Sequence, residues 1–122
     1  MIGVYSSEDE IERVVSGFET CTTGATDFHH REHLTVAAWY LQKFSRDEAL
    51  ERMRAGLRRF IEHHGVDPKK YSEDVTVFWI DAVGTQLAEM ESEPQLVAKV
   101  NQIISKFSSP AHTPAARVAA EE

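Results

Sequence analysis

His30 and His33 stand three residues apart in the segment Phe28-His29-His30-Arg31-Glu32-His33-Leu34, where an amphipathic helix should carry core residues. A neutral imidazole can serve as a base, a metal ligand or a buried hydrogen-bond partner. At this spacing two histidines share one face of a helix and can converge on one ion. Adding Glu73 supplies two nitrogens and one carboxylate oxygen. That donor set suits a divalent metal such as zinc, iron or manganese, with at least one position left for water. Metal-bound water would then be the nucleophile of a hydrolase, and an open iron site would suit an oxygenase.

A metal-free arrangement of the same residues also makes chemical sense. His33 would act as general base with Glu73 orienting it, and Arg54 would pair an anionic substrate. Tyr71, Ser72 and Thr76 would offer hydroxyls to the same small molecule. The competing reading is structural at every position. His30 and His33 occupy a helix's first turn, where a free backbone group can satisfy a buried imidazole. Ser72 is a natural helix cap, and Glu73 with Asp74 compensates a helix dipole. Arg54 and Arg58 are solvated helix-face charges. Cys21, in a Thr-rich loop without a basic neighbour, is a poor nucleophile.

Five helical segments must position these groups. The first opens at Ser7, whose capping-box partner is Glu10, and buries Ile11, Val14, Val15 and Phe18. Asp27 is the expected cap of the second, which runs to about Phe44 and presents Leu34, Ala37 and Leu41 on the histidine face. Glu32 and Lys43 point away, while Val36 and Trp39 make the far side partly apolar, so this helix is expected to be covered on two sides. Ser45 with Glu48 opens the third helix, which stops at Gly65. Ser72 caps the fourth, to about Met90, with Val75, Phe78, Trp79, Ala82, Val83 and Leu87 as its buried stripe. Ser92 with Gln95 opens the fifth, ending at Phe107. Nothing alternates strongly enough to predict a sheet, so the fold class is all-α. Residues 1–107 form one compact helical domain, and the Pro- and Ala-rich stretch 108–122 is expected to be a flexible tail.

Bulk properties narrow the function. A chain of 122 residues can bury about two thirds of its unfolded surface as one domain. Twenty acids against 13 bases give a net charge of −7, which a phosphate backbone would repel, so nucleic acid is not an expected partner. No apolar run is long enough to span a bilayer, and the first residues carry no basic, apolar leader. With one cysteine and no internal disulfide available, a reducing cytoplasmic location is expected. There is no His-Glu-x-x-His, no Gly-x-Ser-x-Gly and no phosphate-cradling glycine loop.

The blocks His30-x-x-His33-Leu34-x-Val36-Ala37-x-x-Tyr40-Leu41, Ala49-Leu50-x-x-Met53-Arg54-x-Gly56-Leu57-Arg58 and Tyr71-Ser72-Glu73-Asp74-Val75-Thr76-x-Phe78-Trp79 resemble a family of small, uncharacterised bacterial helical proteins. That family carries a His-x-x-His-Leu block and a Tyr-His-Glu-Thr-x-Thr block. The resemblance covers about positions 28 to 83 and implies that His30, His33, Tyr71, Glu73 and Thr76 form one cluster. It departs at Ser72, where the family has histidine, and at Asp74, where it has threonine. The leading expectation is therefore a metal- or small-molecule-binding protein with a polar pocket between its second and fourth helices. Its rivals are an interaction module whose polar cluster fixes helix register, and an adaptor docking through Trp39.

Overall fold

The computed structural model describes residues 4–24 and 27–107. It is all-α: α1 (Glu8–Glu19), α2 (His30–Lys43), α3 (Arg46–His63), α4 (Glu73–Glu89) and α5 (Leu96–Phe107), with one 3-10 turn at Pro68–Lys70 between α3 and α4. Among the described residues there is no strand, and no helix is long and apolar enough to cross a membrane. The segment 108–122 expected as a tail lies outside the described residues.

Local chemistry explains most boundaries. The Glu10 carboxylate reaches back to accept from the amides of Ser6 and Ser7 at 2.6 and 3.1 Å. Ser45 Oγ accepts from the Glu48 amide and Ser72 Oγ from the Val75 amide, each at 3.2 Å, so both expected caps are in place. α3 stops in a full Schellman turn. Gly65 takes φ 68°, its amide donates to Glu62 O, and the Val66 amide donates back to Ile61 O at 2.8 Å.

Two starts differ from the sequence expectation. α2 begins at His30 rather than after Asp27, because Glu32 folds back and accepts from the His29 amide at 2.8 Å. That bond also buries Glu32, which the helical wheel placed outward; a carboxylate at the third helical position turns toward the unpaired amides. α5 begins at Leu96, with Glu93 accepting from the Gln95 amide, and Ser92 lies in the preceding turn.

α2 is the centre of the bundle and packs against all four other helices. Its sequence allows this because Leu34, Val36, Ala37 and Ala38 leave both flanks apolar and fully buried. Trp39, considered above as a docking face, is half-buried, with the Lys43 ammonium 4.3 Å over its ring. Polar ties fix the helices around α2. Tyr5 OH and Thr35 Oγ1 lie 2.9 Å apart in the core, and Tyr40 OH donates to Glu19 at 2.6 Å. Arg46 holds Asp81 with two parallel bonds of 2.9 and 3.1 Å between α3 and α4.

Behind the histidines the core is aromatic. Phe18 stacks on Phe28 and Phe60 at 4.9 and 5.8 Å, and those two rings meet each other at 5.0 Å. Phe28 also packs on the His33 imidazole at 4.6 Å. This wedge keeps the start of α2 apart from the end of α3. The space it holds open is the site described next.

Candidate functional site

A cavity of about 140 Å³ lies between α2, α3 and α4. α2 contributes His30, His33 and Ala37. α3 contributes Met53, Leu57, Phe60 and Ile61, and α4 contributes Val75, Thr76, Trp79 and Ile80. Phe28 closes one side, while Val66, Lys70, Tyr71 and Ser72 form the rest of the wall. The Schellman turn accounts for part of it. Its backward bond brings Val66 beside Ile61, the pairing that usually accompanies this motif.

Five residues named from the sequence therefore share one cavity wall: His30, His33, Tyr71, Ser72 and Thr76. Glu73 and Arg54 do not join them. Arg54 Nε donates to both Glu73 carboxylate oxygens at 2.9 and 3.1 Å, its Nη2 donates to Glu73 as well, and its Nη1 reaches Glu51 at 2.6 Å. Tyr71 OH completes the group by donating to Glu73 at 2.6 Å. Arg54 and Tyr71 together hold the Glu73 carboxyl down to about 2, with the arginine bonds the larger cause. Burial and then the Glu73 carboxylate raise the Tyr71 phenol.

This pairing sets Glu73 and Arg54 apart from the histidines. The trio His30, His33 and Glu73 is not assembled as a metal site; among the described residues no three His, Cys, Asp or Glu side chains gather closely enough to hold an ion. Nor is Arg54 open to an anionic substrate, or Glu73 bonded to a histidine. The carboxylate begins α4 and meets a guanidinium from α3 before it can reach the first turn of α2. Arg54→Met is expected to raise the Glu73 pKa by at least about one pH unit, read by carboxyl NMR titration, and to leave the cavity unchanged.

The histidines differ from each other. His30 Nε2 lies 3.0 Å from the Phe107 carbonyl, tying the start of α2 to the end of α5. Its ring meets Trp79 edge to face at 4.7 Å. His33 is half-buried and lines the cavity. Burial, reinforced by repulsion from His30 and His29, holds its pKa down from the ordinary 6.5 to about 3. It is thus an uncharged imidazole at neutral pH. The two small hydroxyls are partly committed to the helix start, since Ser72 Oγ caps α4 and Thr76 Oγ1 donates to Ser72 O at 2.8 Å.

One participant escaped the sequence reading. Trp79 was placed in the buried stripe and is buried, yet it also lines the cavity, and its Nε1 is buried with no hydrogen-bond partner among the described residues. Nothing in the sequence separates a core tryptophan from a cavity tryptophan, because the difference lies in what α2 leaves empty opposite it. Comparison with protein-family models, curated proteins and solved structures returned no match.

Proposed function

We propose that this protein binds a small molecule about the size of one six-membered ring in the cavity between α2, α3 and α4. The observation that carries the reading is the cavity itself: about 140 Å³, walled mainly by aliphatic and aromatic side chains, with His30, His33, Lys70, Tyr71, Ser72 and Thr76 interrupting that wall. A dry apolar cavity of about 150 Å³ accommodates benzene. Ligand sites commonly have this composition, with a few polar groups fixing orientation. The resemblance to the His-x-x-His-Leu proteins belongs to the same proposal, since four of the five positions it groups line this space and only Glu73 does not.

Binding is favoured over catalysis by the state of His33. A group whose conjugate acid has a pKa of about 3 is a weak general base at neutral pH. Metal-assisted hydrolysis or oxygenation would require Glu73 to leave Arg54 and Tyr71, which favours the metal-free version. A structural role is supported for part of the cluster. Arg54 with Glu73 fastens α3 to α4, and His30 fastens α2 to α5.

Titration of the full chain with benzene and with phenol, followed by amide NMR, tests the proposal. Saturable shifts centred on α2 and α4 are expected for at least one ring. Ala37→Ile should abolish them with the fold retained, because the new side chain grows into the space from a wall residue. No response to either probe, or a response that survives Ala37→Ile, would refute it.

A further inference from the structure

The cavity wall is uneven in its exposure and in its charge. Among the described residues that line it, Lys70 alone is exposed, and its chain neighbours Tyr71 and Ser72 are half-buried. The cavity therefore meets solvent where the 3-10 turn runs into α4. Positive charge gathers at that end. Lys70 makes no ion pair among the described residues. Neither does Arg58, whose guanidinium lies 5.2 Å over the Tyr71 ring. The carboxylates nearest Lys70 in the chain are engaged elsewhere. Asp67 accepts from the Lys69 amide at 2.9 Å, and Glu73 is held by Arg54 and Tyr71. Ser72 Oγ accepts from the Val75 amide, so its own proton remains to be donated. An apolar, enclosed interior thus ends in an open, cationic rim.

Resting on the small-molecule reading above, we propose that the cavity takes a single-ring monocarboxylate, its ring inside and its carboxylate at the rim against Lys70. The division follows from solvation. A ring gains by leaving water for the aliphatic and aromatic wall. An ionised carboxylate is costly to bury, and at an open rim it keeps part of its hydration. There the Lys70 ammonium, a compact charge on a flexible four-carbon stem, follows the carboxylate without demanding one geometry. Arg58 strengthens the local positive potential, and the Ser72 hydroxyl supplies a neutral donor two residues from Lys70. A protonated amine in the same place would meet Lys70 and Arg58 as like charges. A dianion such as a phosphate ester is disfavoured by the chain's net charge of −7. Arg54, the cation expected from the sequence, is engaged by Glu73, and Lys70 stands at the cavity instead.

Calorimetric and NMR titrations of the full chain near neutral pH with benzoate, nitrobenzene and benzylamine test this. Nitrobenzene matches benzoate in shape without its charge, and benzylamine is protonated under these conditions. Benzoate is expected to bind about three- to tenfold tighter than nitrobenzene, the factor that a partly solvated ion pair and one hydrogen bond supply. Benzylamine should bind more weakly than nitrobenzene. The benzoate advantage should shrink between about 0.01 and 1 M salt, as the screening length falls from about 30 to 3 Å. Lys70→Gln, at an exposed position, should bring benzoate down to the level of nitrobenzene and leave nitrobenzene unchanged. Equal affinity for benzoate and nitrobenzene, both lost in Ala37→Ile, would overturn carboxylate selection and leave ring binding intact. A benzoate advantage that survives Lys70→Gln would overturn the assignment to Lys70. Benzoate binding that survives Ala37→Ile would put the anion outside the cavity and overturn the proposal. No binding of any of the three would overturn both readings.

Discussion

Between pH 6.5 and 4.5 the folded protein is expected to lose about 1.4 kcal/mol of stability per pH unit on account of His33, and His33→Leu should lose less by that amount. The cause is burial. In the fold the imidazole refuses a proton down to about pH 3, whereas in the unfolded chain it accepts one near 6.5. Across that window the unfolded state binds more protons, so stability rises with pH and falls on acidification. By pH 4.5 the difference reaches about 3 kcal/mol, a large part of the stability of a domain this size. Glu73 contributes with the same sign but lower down. Its folded pKa of about 2 lies beneath the ordinary carboxylate value, so the stability from the Arg54 and Tyr71 bonds is present above about pH 4.5 and is lost as pH falls toward 2. The two effects are therefore separable in denaturant titrations run at half-unit steps. A wild-type slope above pH 4.5 that persists unchanged in His33→Leu would show that His33 is not held neutral by the fold.

How far the sequence led can be judged residue by residue. The caps at Ser45 and Ser72 and the end of α3 at Gly65 follow from rules that act within one helical turn, and all were visible before any tertiary information. The two-sided burial of α2 was visible too, because Val36 and Trp39 stand across the helix from Leu34; Val36 is fully buried and Trp39 half-buried. What failed needed knowledge of neighbours. Glu32 lay on the outward face of the wheel, but free amides at the helix start drew it in. Glu73 was grouped with the histidines because two imidazole nitrogens and a carboxylate make a plausible donor set and because the resemblance places them in one cluster. Which of several polar groups meets it is decided by the crossing of α3 and α4, and Arg54 arrives first. Periodicity assigns a residue to a face; it does not say which partner waits across the interface.

The same distinction governs the aromatic wedge that holds the cavity open, and the largest single mutational effect is expected there. Phe18→Ala should cost about 3–5 kcal/mol and lower Tm by on the order of 10–20 °C, measured by denaturant and thermal unfolding. Phe18 is fully buried, stacks on Phe28 and Phe60, and rests against a glycine. A Cβ at Gly56 would lie 2.5 Å from Phe18 Cε2 and 2.7 Å from Cζ, so α3 can approach the ring only because that position has no side chain. Gly56→Ala gains about 1 kcal/mol in helix propensity but must push the ring aside, which costs about 1–3 kcal/mol in a packed core. Phe28 and Phe60 would shift with it, and both line the cavity. Gly56→Ala is thus expected to weaken ring binding more than it weakens the fold. Phe18→Leu should relieve the clash, leaving the double variant more stable than the sum of the single changes by on the order of 1 kcal/mol. Strict additivity would mean that the ring has room to move, and the cavity would then owe its shape to α2 and α4 alone.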